Sequence, residues 1–378
     1  MPLTFDRLTA LRALRVYRAS GQPLPSVRCD LASPDPSPRR RWTSGLIPLE
    51  PLALEHPPSS SEPIEVVVPR QEDRLRGSFV SCRMRASSLP EESFVDLGDG
   101  TSIPCPELLF LELAEVMEPA VHALLGYELC GTYVRSASDP RLGAVTYDVA
   151  PVTSVERLGE YLDRVGRRKS VLLARRNLTY VADNAWSSME AVVALMARLP
   201  PEELGYGFGE IDLNVRHGAT PELVALGCRD SRVPDIELRG LRVGFNYDSH
   251  DHLDLDSIAG AQTEEGSVRA AAKVREKYVD DLRRNRELAA SGWVILPVTS
   301  EDLFAPRGLD AVMLQAAMAA QELVGGTVLQ DVRAVVSAGS QSERRQELVW
   351  SLLPWRPGSW HARKFAAWRP WGHLVTGQ

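Results

Sequence analysis

The chain has 378 residues, a formal net charge of −7, and 44% hydrophobic against 25% charged residues. At roughly 150 residues per domain this length predicts two or three domains, and the composition excludes a disulfide miniprotein, a collagen-like repeat and a wholly disordered chain. The acidic balance also excludes a globally basic nucleic-acid binder, so any site for a polyanion has to be local.

Five cysteines, Cys29, Cys82, Cys105, Cys130 and Cys228, include no C-x-x-C pair. That pattern speaks against a zinc knuckle or a disulfide framework and for a reducing compartment. No apolar run reaches the ~18 residues of a membrane helix. The N-terminus interleaves Arg7, Arg12, Arg15 and Arg18 with apolar positions, unlike a signal peptide. A cytoplasmic protein without a membrane partner is expected.

In chain order, Leu8, Leu11, Leu14 and Val16 give a helical stripe over 4–19, ended by Gly21 and Pro23. Arg39, Arg40 and Arg41 follow in a proline-rich loop, a run that suits either phosphate contact or plain solvation. Segments 64–68, 79–84 and 94–97 read as strands, and 106–118 and 119–125 as helices. Residues 1–44 thus form an N-terminal helix and loop, and 45–135 a small α+β domain. No chemistry is legible before residue 150, and a protein partner is expected through residues 1–150.

From 151 the pattern changes. Segments 152–165, 170–178 and 189–199 read as helices, 209–215, 233–238, 241–248 and 293–299 as strands, and 267–290 as a long charged helix. This alternation predicts an α/β domain with a mixed sheet over 151–305. Gly205, Gly207 and Gly209 lack the strand-loop-helix context of a phosphate-cradling loop, so they read as a turn and no organic cofactor is expected. Residues 306–378 form a helical, tryptophan-rich tail with five of the eight tryptophans. From residue 348 onward it carries Arg356, Arg363, Lys364 and Arg369 and no acid. Aromatics interleaved with basic residues suit single-stranded nucleic acid, and equally an apolar tail docked on its own core.

The chemistry concentrates between Arg232 and His252. Arg239 and Gly240 read as a tight turn between two strands. With a period of two, Asp235 and Glu237 share one face of the first strand, and Asn246, Asp248 and His250 one face of the second. A hairpin brings Asp235 close to Asn246 and Asp248. Carboxylates from paired strands can hold a hard cation such as Mg²⁺; solvated acids at strand ends are the plainer alternative. The run Asp248, His250, His252, Asp254, Asp256 alternates as well, and reads either as a transition-metal site or as an irregular loop.

Four features recur in order over about 130 residues, from 173 to 304. They are Ser187-Ser-Met-Glu190 opening a helix, Pro234-Asp235 on a strand, Asn246-Tyr-Asp248 followed by His252, and Asp281-Leu-Arg-Arg284 followed by Leu288, Gly292 and Trp293 before a strand. This segment resembles the very-short-patch-repair endonuclease domain. That domain is a branch of the PD-(D/E)XK nuclease superfamily also found at the C-terminus of AbiE-type antitoxin-like bacterial proteins. The resemblance implies a restriction-endonuclease-like mixed sheet preceded by a small α+β domain. It also implies Mg²⁺, replaceable by Mn²⁺, and DNA as partner. The implied activity is hydrolysis or nicking of phosphodiesters, in repair or in phage or toxin defence. It casts Asp235 as central metal ligand, Asn246 and Asp248 as its companions, Glu190 as the helix acid, His252 as acid or base, and Asp281 as support. Asn246 stands where most relatives carry glutamate, which leaves one negative charge fewer. A nuclease fold that binds nucleic acid or regulates without cleaving is the alternative. Lys273, Arg283 and Arg284 on the long helix read as DNA contacts or as a solvated face. Ser187 with Glu190 also fits a capping box, and Asp281 with Arg284 an ordinary helix-surface pair.

Overall fold

The apolar runs of the chain bury themselves in two separate units, Met1–Ser188 and Met189–Gln378. The structure, a computed structural model, describes residues 3–33, 43–85, 88–98, 100–248 and 264–367. The first arginine run, Arg39 to Arg41, lies outside these residues, as do His250, His252, Asp254, Asp256, Trp368, Arg369 and Trp371. All five cysteines are unpaired, and among the described residues no helix is long and apolar enough to cross a membrane.

In the first unit, β1 (Leu3–Thr4) runs parallel to β6 (Thr101–Pro104). β6 pairs antiparallel with β5 (Phe94–Gly98), and β5 with β2 (Arg28–Cys29), giving the order β1-β6-β5-β2. A second, two-stranded ladder joins β3 (Ile64–Val68) and β4 (Val80–Met84) in parallel, and β7 (Tyr133–Val134) pairs with β8 (Thr146–Tyr147). Five helices pack with them: α1 (Arg7–Ala19), α2 (Pro106–Leu113), α3 (Pro119–Cys130), α4 (Val155–Val165) and α5 (Lys169–Leu178). Every residue of α2 is buried, the mark of a helix that is core on all sides. Its carboxylates are neutralised where they lie: Arg83 pairs with Asp6 and Glu112, and Arg28 and Arg157 approach Glu107 at 3.5 Å each. His122 is a core histidine. Its Nε2 donates to the Phe110 carbonyl at 2.7 Å and its Nδ1 accepts from Asn177 at 3.0 Å, while burial pushes its pKa down to about 4.

The first unit runs to residue 188 and so includes α4 and α5. Both α4 and α5 pack on α2, and α5 also on α3. Their apolar stripes declare that they are half-buried, but not which sheet they serve.

The second unit starts with α6 (Ser188–Arg198). Its four-stranded sheet has the order β14-β13-β12-β9, from β9 (Ile211–Leu213), β12 (Ile236–Leu238), β13 (Val243–Asp248) and β14 (Val294–Thr299). β12 is antiparallel to both β9 and β13, whereas β14 is parallel to β13. A parallel neighbour needs a crossover, and α8 (Glu264–Ala290) lies in that connection. The sheet is therefore mixed, as the alternation predicts. Between β9 and β12 lie a short ladder of β10 (His217–Gly218) with β11 (Ser231–Arg232), and α7 (Pro221–Ala225). The glycines at 205–209 form a turn that hydrogen-bonds back onto the end of α6, Tyr206 N–H to the Met196 carbonyl at 3.0 Å and Gly207 N–H to that of Leu199 at 2.9 Å.

The described C-terminal part is helical: α9 (Ser300–Phe304), α10 (Gly308–Val324), α11 (Val328–Ser337), α12 (Gly339–Leu352) and α13 (Gly358–Ala367). Helix α10 packs on β13 and β14. Asp310, buried on α10, accepts from Tyr206 at 2.8 Å, from Arg345 of α12 at 2.7 Å and from the Ser342 hydroxyl. Arg345 is itself fully buried and donates onward to the carbonyls of Leu204 at 3.1 Å and Val335 at 3.2 Å. Removing the carboxylate strands that guanidinium in the core. Asp310→Ala should therefore destabilise the second unit by about 3–5 kcal/mol, seen as an early transition in urea unfolding followed by tryptophan fluorescence.

Candidate functional site

Residues directly opposite one another in paired strands share a face. Ile236 pairs with Leu213 and Phe245, and Leu238 with Ile211 and Val243, so these six buried side chains form the apolar face. The other face is polar. Asp212, Glu237 and Gly244 lie in one row across the sheet, and Asp235 and Asn246 flank the next. The strands approach closely here: a Cβ on Gly244 would sit 2.2 Å from the Ile236 carbonyl oxygen.

The hairpin brings Asp235 to the second strand as its alternation implies. Gly240 and Arg242 take positive φ, and the Leu241 N–H donates to the Leu238 carbonyl at 3.1 Å, which closes the turn. The Asp235 N–H donates to Asn246 Oδ1 at 3.0 Å, and the Tyr247 N–H donates to Asp235 Oδ2 at 2.7 Å. Asp235 is thus clamped to β13 by both its backbone and its side chain. Its own carbonyl accepts from the Asn214 N–H at 3.1 Å. The Asn214 side chain donates to Glu190 Oε1 at 2.7 Å, so the helix acid meets the Asp235 strand through an asparagine. Glu190 is buried.

Helix α8 supplies the rest. Arg284 lies 3.2 Å from Asp281 and 3.8 Å from Asp248 at the end of β13. Burial raises the Asp235 acid to about 6. The Tyr247 N–H and the Arg284 charge oppose the shift, and the charges of Asp248 and Asp281 add to it. Asp235, Asp248, Asp281 and Arg284 therefore form one electrostatic group. Asn246 is a strand clamp rather than an outward-facing oxygen: its Oδ1 is bonded to the backbone, and its Nδ2 is buried with no hydrogen-bond partner among the described residues. Arg283 is exposed on α8, whereas Arg284 is half-buried among acids. The Lys273 side chain and His252 lie outside the described residues. Among the described residues, no set of three or more His, Cys, Asp or Glu side chains is placed to hold a metal ion.

Two features escape a reading by motif. Arg232 grips α8 from β11, donating to both oxygens of Glu287 at 2.6 and 3.2 Å and to Asp280 at 2.9 Å. Asp280, Arg284 and Glu287 stand at i, i+4 and i+7, one face of a helix, and that spacing is the available sequence signal. The second is His217, whose Nε2 hydrogen-bonds to Glu237, with Trp293 edge-on at 5.2 Å. Burial raises the Glu237 acid and His217 lowers it in part.

The raised Asp235 acid has a consequence for stability. The folded state holds the proton up to about pH 6 and the unfolded chain only to 3.8, so ionising Asp235 disfavours the fold as pH rises through that window. Asp235→Asn, which mimics the neutral acid, should raise the melting temperature at pH 7.5, and the gain should shrink toward zero near pH 4. Melting curves of both proteins across this range check it; a gain that is flat with pH would assign it to packing instead. No family model, curated protein or solved structure matches this chain.

Proposed function

We propose that the second unit is a restriction-endonuclease-like domain that hydrolyses DNA phosphodiesters with a divalent cation, working in a reducing cytoplasm. One observation carries this reading: Asp235, clamped to β13 at both ends, is crowded by Asp248 and Asp281. The mixed sheet, with a helix before it and α8 in the parallel crossover, supports it.

By residue type the donor set suits a hard cation, although among the described residues no three of these acids are placed around one ion. Asp235, Asp248 and Asp281 offer carboxylate oxygens, and three carboxylates beside one guanidinium leave two formal negative charges, the complement of one Mg²⁺ or Mn²⁺. Asp235 and Asp248 would hold the ion, with Asp281 adding charge. When bound, such an ion lowers the pKa of water and stabilises charge on the phosphate. The chain's own groups do the rest. Asp235 keeps Oδ2 on the Tyr247 N–H, which leaves Oδ1 as the oxygen it would offer to an ion. Asn246 fixes where that carboxylate stands, and Arg284 offsets repulsion between Asp248 and Asp281.

A second reading is favoured by a specific observation. Arg284 sits beside both acids, and Asn246 presents its oxygen to the backbone. A guanidinium there does the work of a cation, as in a nuclease fold that retains its shape and binds or regulates without cleaving. Supercoiled plasmid and mismatched duplex with Mg²⁺ or Mn²⁺ separate the two. The catalytic reading expects metal-dependent nicking that falls by 100-fold or more in Asp235→Asn, roughly the scale of losing a key acid or base. A folded wild-type protein that nicks neither substrate with either metal establishes the second reading.

A further inference from the structure

The C-terminal helix offers a surface that neither the acid cluster nor the sheet accounts for. Helix α13 is fastened to α12 by His361, whose Nδ1 bonds Glu347 at 2.6 Å and whose ring stacks on Trp355 with centroids 5.3 Å apart and planes 6° from parallel. Lys364 pairs with the second Glu347 oxygen. The two inner tryptophans are satisfied internally: the Trp350 indole N–H donates to the Phe304 carbonyl at 3.1 Å, and that of Trp355 to the Trp350 carbonyl at 2.8 Å. For these two, docking on the protein's own core is what the structure shows.

Trp360 differs. It is 53% exposed, meets the His361 ring at a near-perpendicular angle with centroids 4.7 Å apart, and carries the Lys364 ammonium 5.2 Å from its ring centroid. Arg356 and Arg363 are exposed on either side of it in sequence, and no acid occurs anywhere from 348 to 378. In a chain of net charge −7 this is a strongly biased stretch.

We propose that Trp360 with Arg356 and Arg363 forms a stacking platform for single-stranded DNA. An exposed indole presents a flat face that a base can cover, and flanking cations reach the adjoining phosphates. The charge selects a polyanion, and the indole selects a strand whose base faces are open, which duplex DNA does not offer. Buried Glu347 is paired with the Lys364 ammonium and hydrogen-bonded by His361, so the platform rests on a support whose acid is offset. This extends the nucleic-acid reading but stands on other residues, and its test is run with the acid cluster silenced.

The test uses full-length protein carrying Asp235→Asn, in EDTA, with fluorescence anisotropy of a labelled oligothymidylate. Binding should weaken about tenfold or more with Trp360→Ala and by much less with Trp360→Phe. An abasic oligomer of equal length should bind the parent protein about as weakly as the thymidylate binds Trp360→Ala. Replacing Arg356 and Arg363 together by Gln should reduce the slope of log affinity against log salt by about 1.4. Equal affinity for thymidylate and abasic strands, an unchanged affinity in Trp360→Ala, or no binding by the parent protein would each overturn the proposal. Because no cleavage is measured, failure here leaves the hydrolytic reading as it stands.

Discussion

Arg232 ties the long helix α8 to β11 in the second unit. Its guanidinium engages Glu287 in a fork and Asp280 with a third bond, all on one face of α8. Planar bidentate pairing sets orientation as well as distance. That fixes where Arg284 emerges between the two acids, and so places Asp281 and Asp248 in one field with Asp235. The candidate site is thus built from residues far apart in the chain, made neighbours by one arginine and one hairpin.

Much of that hairpin was legible in the sequence. Alternation over 235–248 and the Arg239-Gly240 turn are local signals, and they suffice to put Asp235 across from Asn246. The Arg232–Glu287 pairing was not, because 55 residues separate its members and either alone looks like ordinary surface charge. The boundary at 188 was also hidden: amphipathic α4 and α5 advertise burial without naming their partner. Asn246 is the most instructive position. By motif it is a carboxylate replaced by a weaker ligand. By structure it is the residue that receives the Asp235 backbone, a role any alignment by residue type would pass over.

The two readings of the site differ in what neutralises the acids. A mobile dication leaves and returns, and can share its charge with a phosphate. A guanidinium tethered to α8 stays and holds the acids apart. Asp235 lies between them: burial raises its acid, the Arg284 charge lowers it, and the charges of Asp248 and Asp281 raise it further.

The buried guanidinium of Arg345 carries one more consequence, for the order in which the chain can fold. It bonds the carbonyl of Leu204, 141 residues earlier. At roughly 5–20 residues per second of synthesis, that carbonyl waits about 7–30 s for its partner. The first unit has a comparable span, from Arg18 to the Ala150 carbonyl 132 residues later, but it closes on itself within residues 1–188 and so is complete earlier. During translation the nascent protein therefore passes through a stage with one finished body and one exposed, half-assembled sheet. In that interval chaperones have the most to protect.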